Sequence, residues 1–103
     1  MIKILTFSGS GSDTRKFPGY CLDSTGKDQN GGEIPLAKKY ATSGDCLRAC
    51  NDPSGPFYKE VTGCEHNKPK KSCLIHTREV VSGGGSFDFT CYVLKKKGMN
   101  VFC

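Results

Sequence analysis

The clearest alternation of apolar and polar positions lies near the carboxyl end, where Phe87, Phe89, Cys91 and Val93 alternate with Asp88, Thr90, Tyr92 and Leu94. This two-residue period predicts a strand over 86–95 with one drier face, and it places Phe87 and Phe89 in the core. Two further strands are predicted over 58–66 and 72–77, the second with a pattern that can run on to residue 81. Ser82-Gly83-Gly84-Gly85 supplies a turn into the last strand and lets residues 79–81 serve as its hairpin partner. Residues 17–22 read as extended, and the glycine-punctuated polar stretch 23–34 reads as a long loop.

Helical spacing occurs at residues 42–50. Thr42 or Ser43 can cap the free N–H groups, Asp45 suits the positive end of the helix dipole, and Cys46, Leu47 and Cys50 share one face. Pro53 ends the helix by disfavouring helical backbone at the residue before it. One short helix on a small antiparallel sheet is an α+β arrangement. The organisation predicted is a flexible or partner-docked arm over 1–17, a folded domain over 18–97 and a tail over 98–103. The arm follows from the Gly/Ser run at 8–12, which behaves as a linker.

Composition changes the picture in one respect. Only 36% of the 103 residues are apolar and none is Trp, so the core is thin and needs help from elsewhere. Seven cysteines supply it, because each cross-link removes loop-closure entropy from the unfolded chain. Disulfides also imply an oxidising compartment: secreted, extracellular or another oxidising lumen. Order along the chain cannot fix the connectivity. A helix packed on a sheet can offer Cys46 and Cys50 to Cys64 and Cys73 on neighbouring strands. Cys21 and Cys91 then join the first and last strands, and Cys103 is left unpaired.

The runs Gly19-Tyr20-Cys21-Leu22-Asp23-Ser24, Cys46-Leu47-Arg48-Ala49-Cys50, Thr62-Gly63-Cys64-Glu65-His66, Cys73-Leu74-Ile75-His76-Thr77 and Cys91-Tyr92-Val93 together resemble the PAN/apple-like modules, in which a Cys-x3-Cys helix is stapled to a sheet. The resemblance covers residues 19–94. It implies the pairs Cys46–Cys73, Cys50–Cys64 and Cys21–Cys91, and a domain that binds proteins or carbohydrates. Cys64 departs from the pattern, since it sits within its strand where the family's cysteine precedes it, and the exchanged pairing of Cys46 and Cys50 stays open.

The net charge of +5 is uneven, with seven basic against six acidic residues up to position 52 and eight against four beyond it. Lys68, Lys70 and Lys71 form one cluster, and Lys95, Lys96 and Lys97 another. Such clusters suit an acidic glycan or an acidic protein face. No aromatics interleave with the lysines, which speaks against nucleic acid as a partner. Tyr20, Tyr58 and Tyr92 are candidates for an exposed face that stacks on a sugar or anchors a protein contact. No stretch approaches the roughly 20 apolar residues needed to span a bilayer.

Zinc is the one metal the sequence raises, through Cys64, His66, Cys73 and His76, which carry suitable ligand types. Cys73 and His76 fall on opposite faces of their strand, however, and taking Cys64 and Cys73 would strand the helical cysteines. No metal site and no cofactor are therefore expected, and the histidines read as half-buried strand residues. The chain carries no paired-carboxylate motif, phosphate-binding loop or HExxH, and no enzyme is expected. The leading expectation is a recognition module. The alternative is a structural subunit of a larger assembly, docked through the apolar ends at residues 1–7 and 101–103, and a disulfide-rich inhibitor or toxin comes third.

Overall fold

The computed structural model describes residues 13–28 and 31–95. Expectations for the arm before residue 13 and for Lys96, Lys97 and Cys103 lie outside these described residues. Within them the fold is α+β, with a helix, a small antiparallel sheet and three disulfides.

The strands are β1 (Asp13–Pro18), β2 (Cys21–Leu22), β3 (Glu33–Pro35), β4 (Gly63–Asn67), β5 (Ser72–His76), β6 (Ser82–Gly83) and β7 (Phe89–Lys95). Five of them form an antiparallel sheet in the order β1-β7-β4-β5-β3, and β2 pairs with β6 in a separate two-stranded ribbon. The predicted domain boundary at residue 17 falls inside β1, whose six residues pair with β7 from Asp13↔Lys95 to Pro18↔Thr90. The expected loop over 23–34 gives way to β3, which pairs Ile34 with Ile75 at the sheet edge. The strand predicted over 58–66 starts late: Tyr58–Glu60 is a turn of 3-10 helix, and β4 begins at Gly63. Residues 79–81 do not extend β5. The chain instead leaves the sheet after His76, and Ser82–Gly83 pairs with β2.

The helix α1 (Ser43–Cys50) forms where its spacing predicts. Thr42 Oγ1 accepts the Asp45 N–H at 3.1 Å, which satisfies one of the free donors of the first turn. Cys46 and Cys50 are buried on the inner face, and half-buried Leu47 packs beside them.

Residues opposed in an antiparallel ladder project to the same side, so the register divides the sheet into two faces. Cys64, His66, Cys73, Ile75, Tyr92 and Leu94 face α1, and Cys46–Cys73 and Cys50–Cys64 tie the helix to that side. Glu65, His76, Cys91 and Val93 face the other way, where Cys21–Cys91 ties down the β2-β6 ribbon together with Val80. The bridges are the pairs that the family pattern carries over. They close loops of 14, 27 and 70 residues, and by chain entropy the shortest contributes about 3 and the longest about 4 kcal/mol. Both faces are thus covered, and the single drier face expected for the last strand is replaced by burial of Cys91, Tyr92 and Leu94 alike.

Candidate functional site

Two regions of this frame collect chemistry-bearing side chains, one buried under the ribbon and one exposed at an end of the sheet.

Under the ribbon, Glu65 and His76 are almost entirely enclosed. Glu65 Oε1 accepts the Cys21 N–H at 3.0 Å and meets His76 Nε2 at 3.1 Å. One carboxylate oxygen therefore holds β2 and β5 to β4. His76 Nδ1 is buried without a hydrogen-bond partner. Asp28 bridges to Leu22 at the edge of this cluster. Burial, and then repulsion from Glu65, hold its carboxyl above the ordinary aspartate range, with His76 opposing. Cys21, Glu65 and His76 bring ligand atoms within 4.8 Å of one another, while the Cys21 sulfur is committed to its bridge. Glu65 escaped the sequence reading. Its signal was available, as an isolated acid inside a strand otherwise made of glycine, cysteine, histidine and asparagine.

The zinc set raised from sequence is not assembled. Cys64 and Cys73 are in disulfides, and the histidines lie on opposite faces. His66, buried on the helix side, bonds through Nε2 to the Tyr40 carbonyl at 2.7 Å.

The exposed region is built from two turns. The first joins β4 to β5: Asn67 Oδ1 accepts the Lys70 N–H, and the Lys68 carbonyl accepts the Lys71 N–H, so Lys68, Lys70 and Lys71 are presented on a tight loop. Lys71 has φ 56°, the left-handed region that glycine or asparagine normally fills. The second turn precedes β7. The Lys68 N–H donates to the Asp88 carbonyl at 2.8 Å, which seats the lysine turn beside Phe87. Phe87 is 85% exposed. Its expected place in the core is wrong because the strand starts only at Phe89, and residue 87 belongs to the turn.

Tyr20 lies at the same end, 41% exposed, with its ring centroid 4.2 Å from that of Phe89. The Tyr40 N–H donates to the Lys71 carbonyl, so exposed Lys38 and Lys39 run into this turn as well, a pair that the sequence reading passed over. Among the described residues no carboxylate lies within ion-pair distance of the ammonium groups of Lys38, Lys39, Lys68, Lys70 or Lys71.

The other sequence candidates do not join this end. Tyr92 is buried on the helix side, with its hydroxyl 3.0 Å from Ser43 Oγ, which corrects its expected place on an exposed face. Tyr58 precedes β4 at the far end of the sheet. Lys95 closes β7 some six residues, about 20 Å, from Phe89, so it cannot reinforce the first lysine cluster at close range.

The sequence matches no protein-family model and no curated protein. Among the described residues no helix is long and apolar enough to cross a membrane.

Proposed function

We propose that this chain is a non-catalytic recognition module of the PAN/apple-like kind, and that it binds an acidic glycan at the turn end of its sheet. The observation that carries the reading is the lysine turn of Lys68, Lys70 and Lys71, tied by the Lys68 N–H to the Asp88 carbonyl next to the exposed Phe87. Ammonium groups pair with sulfate or carboxylate, and an exposed aromatic ring offers an apolar face to a sugar ring. Lys71 strengthens the argument. A side chain in the left-handed region costs roughly 1–2 kcal/mol, so the lysine stands there at the expense of stability. Three disulfides are compatible with an oxidising environment, and a secreted or extracellular setting fits such a ligand. The reading as a docked structural subunit rests on apolar ends that lie outside the described residues.

The test is salt elution from immobilised heparin, with neutral dextran as control. Lys68→Ala with Lys70→Ala should elute at clearly lower salt than Lys27→Ala with Lys59→Ala, which removes equal charge elsewhere. Lys71→Gly should melt higher than the parent yet bind heparin more weakly, and Phe87→Ala should weaken binding without changing charge. Equal shifts for the two double variants would reduce the interaction to net charge and overturn the proposal.

A further inference from the structure

The cluster under the ribbon combines ligand types that the oxidised protein uses only to hold its strands together. We propose that Cys21, Cys91, Glu65 and His76 form a binding site for zinc or a similar divalent metal whenever the Cys21–Cys91 bridge is open. The four side chains supply two thiolates, an imidazole and a carboxylate, a ligand set that zinc accepts in tetrahedral geometry. Their positions are close to what such a site needs. His76 Nε2 and Glu65 Oε1 are 3.1 Å apart, and ligand atoms around tetrahedral zinc are separated by about 3.3 Å for nitrogen and oxygen. The Cys21 sulfur lies within 4.8 Å of both; the Cys91 sulfur, bonded to it in the closed form and carried on the strand beside Glu65, stands outside that cluster and has to turn toward it once the bond opens.

The frame favours the site once this bridge is open. Cys91, Glu65 and His76 sit on β7, β4 and β5, neighbouring strands of one sheet, while the other two bridges lie on the opposite face. A chain with only Cys46–Cys73 and Cys50–Cys64 closed therefore still aligns three of the four ligands. Cys21–Cys91 closes the widest loop, 70 residues against 14 for Cys50–Cys64, and chain statistics give its thiols a roughly tenfold lower effective concentration. In the unfolded chain its closure is therefore the least favoured of the three.

The chemistry balances with a dithiol as reductant. Two electrons pass from the dithiol to the Cys21–Cys91 bond, which breaks to give two thiols, while the dithiol becomes a cyclic disulfide. Metal entry releases both thiol protons to solvent, and ligation through Nε2 requires the neutral imidazole to carry its proton on Nδ1, the ring atom that has no partner in the closed form. The Cys21 N–H bond to Glu65 then orients the carboxylate from outside the ligand set.

The experiment uses a Cys103→Ser background to remove the remaining thiol. The protein is treated with dithiothreitol until mass mapping shows free Cys21 and Cys91 with the other bridges intact, and is then titrated with Zn2+ or Co2+. One metal per chain is expected, with X-ray absorption showing two sulfur and two lighter neighbours. The variant Cys91→Ser fixes the open state without reductant, and should bind one Co2+ with a thiolate charge-transfer band. Adding His76→Ala to it should weaken binding by more than about tenfold. Absence of stoichiometric metal in both preparations, an all-sulfur or sulfur-free shell, or binding indifferent to His76 would overturn the site.

Discussion

Replacing Glu65 by alanine tests the buried cluster most directly. The carboxylate oxygen accepts from the Cys21 N–H and meets His76 Nε2, and its loss leaves both groups enclosed without a partner. His76 would then have neither ring nitrogen bonded, since Nδ1 is already unpartnered. Each orphaned buried group costs about 1–3 kcal/mol, and removal of one member of a buried pair typically costs about 3–5 kcal/mol. A loss near 4 kcal/mol should lower the melting temperature by at least about 15 °C in a domain of this size. Glu65→Gln keeps an acceptor oxygen but gives up the charge, so it should cost about half as much. The double variant Glu65→Leu with His76→Leu removes both polar partners together, and should be markedly more stable than the sum of the single losses implies. Guanidinium unfolding of the disulfide-intact proteins provides the measurement. A loss below about 1 kcal/mol for Glu65→Ala, or strict additivity in the double variant, would show that the pair does not hold the ribbon to the sheet.

Other outcomes follow from the same frame. Asp28 ionises above the ordinary aspartate value of 3.8, so the folded chain holds its proton more tightly than the unfolded chain does. Ionisation as pH rises through that raised value therefore subtracts stability. Asp28→Asn should raise the unfolding midpoint at pH 7 and lose this advantage well below pH 3.8, and a gain that persists in acid would refute the assignment. Gly19 has φ 105°, and a Cβ there would stand 2.3 Å from the Gly85 backbone nitrogen. Gly19→Ala should cost about 2 kcal/mol or more by thermal melting. Gly26→Ala, with φ 81° but nothing within 4 Å, should cost less, and equal losses would mean that the close approach of the two turns is unimportant.

What could be read from the sequence was whatever local spacing determines. The helix was legible because Thr42, Asp45 and the Cys46/Cys50 spacing are all local signals. The last strand was legible over Phe89–Lys95, from a two-residue alternation of apolar and polar positions that both faces of the sheet then cover. Its start was not, because Phe87 continues the alternation in sequence while the backbone is still turning, and periodicity cannot see the change. The short strands β2, β3 and β6 have two or three residues each, too few for a period; β3 exists because the sheet edge supplies a partner, and β2 and β6 because the fold brings them to each other. β1 was hidden by the Gly/Ser run before it. The lysine cluster at 68–71 was visible as charge, but its neighbours Phe87, Tyr20 and Lys38–Lys39 come from three other segments that only the fold brings to one end.

The pairing of β1 with β7 also decides how the domain bears a pull. Asp13 and Lys95 are opposed at the same end of neighbouring antiparallel strands, so tension applied there peels the two apart one residue pair at a time. Peeling reaches Phe17, which faces Cys91, and only a short span of chain then separates the load from Cys21. From that point force crosses the covalent Cys21–Cys91 link. Residues 22–90, including the helix and the lysine turn, lie outside that covalent path, and load reaches them only through the pairing of β4 with the end of β7.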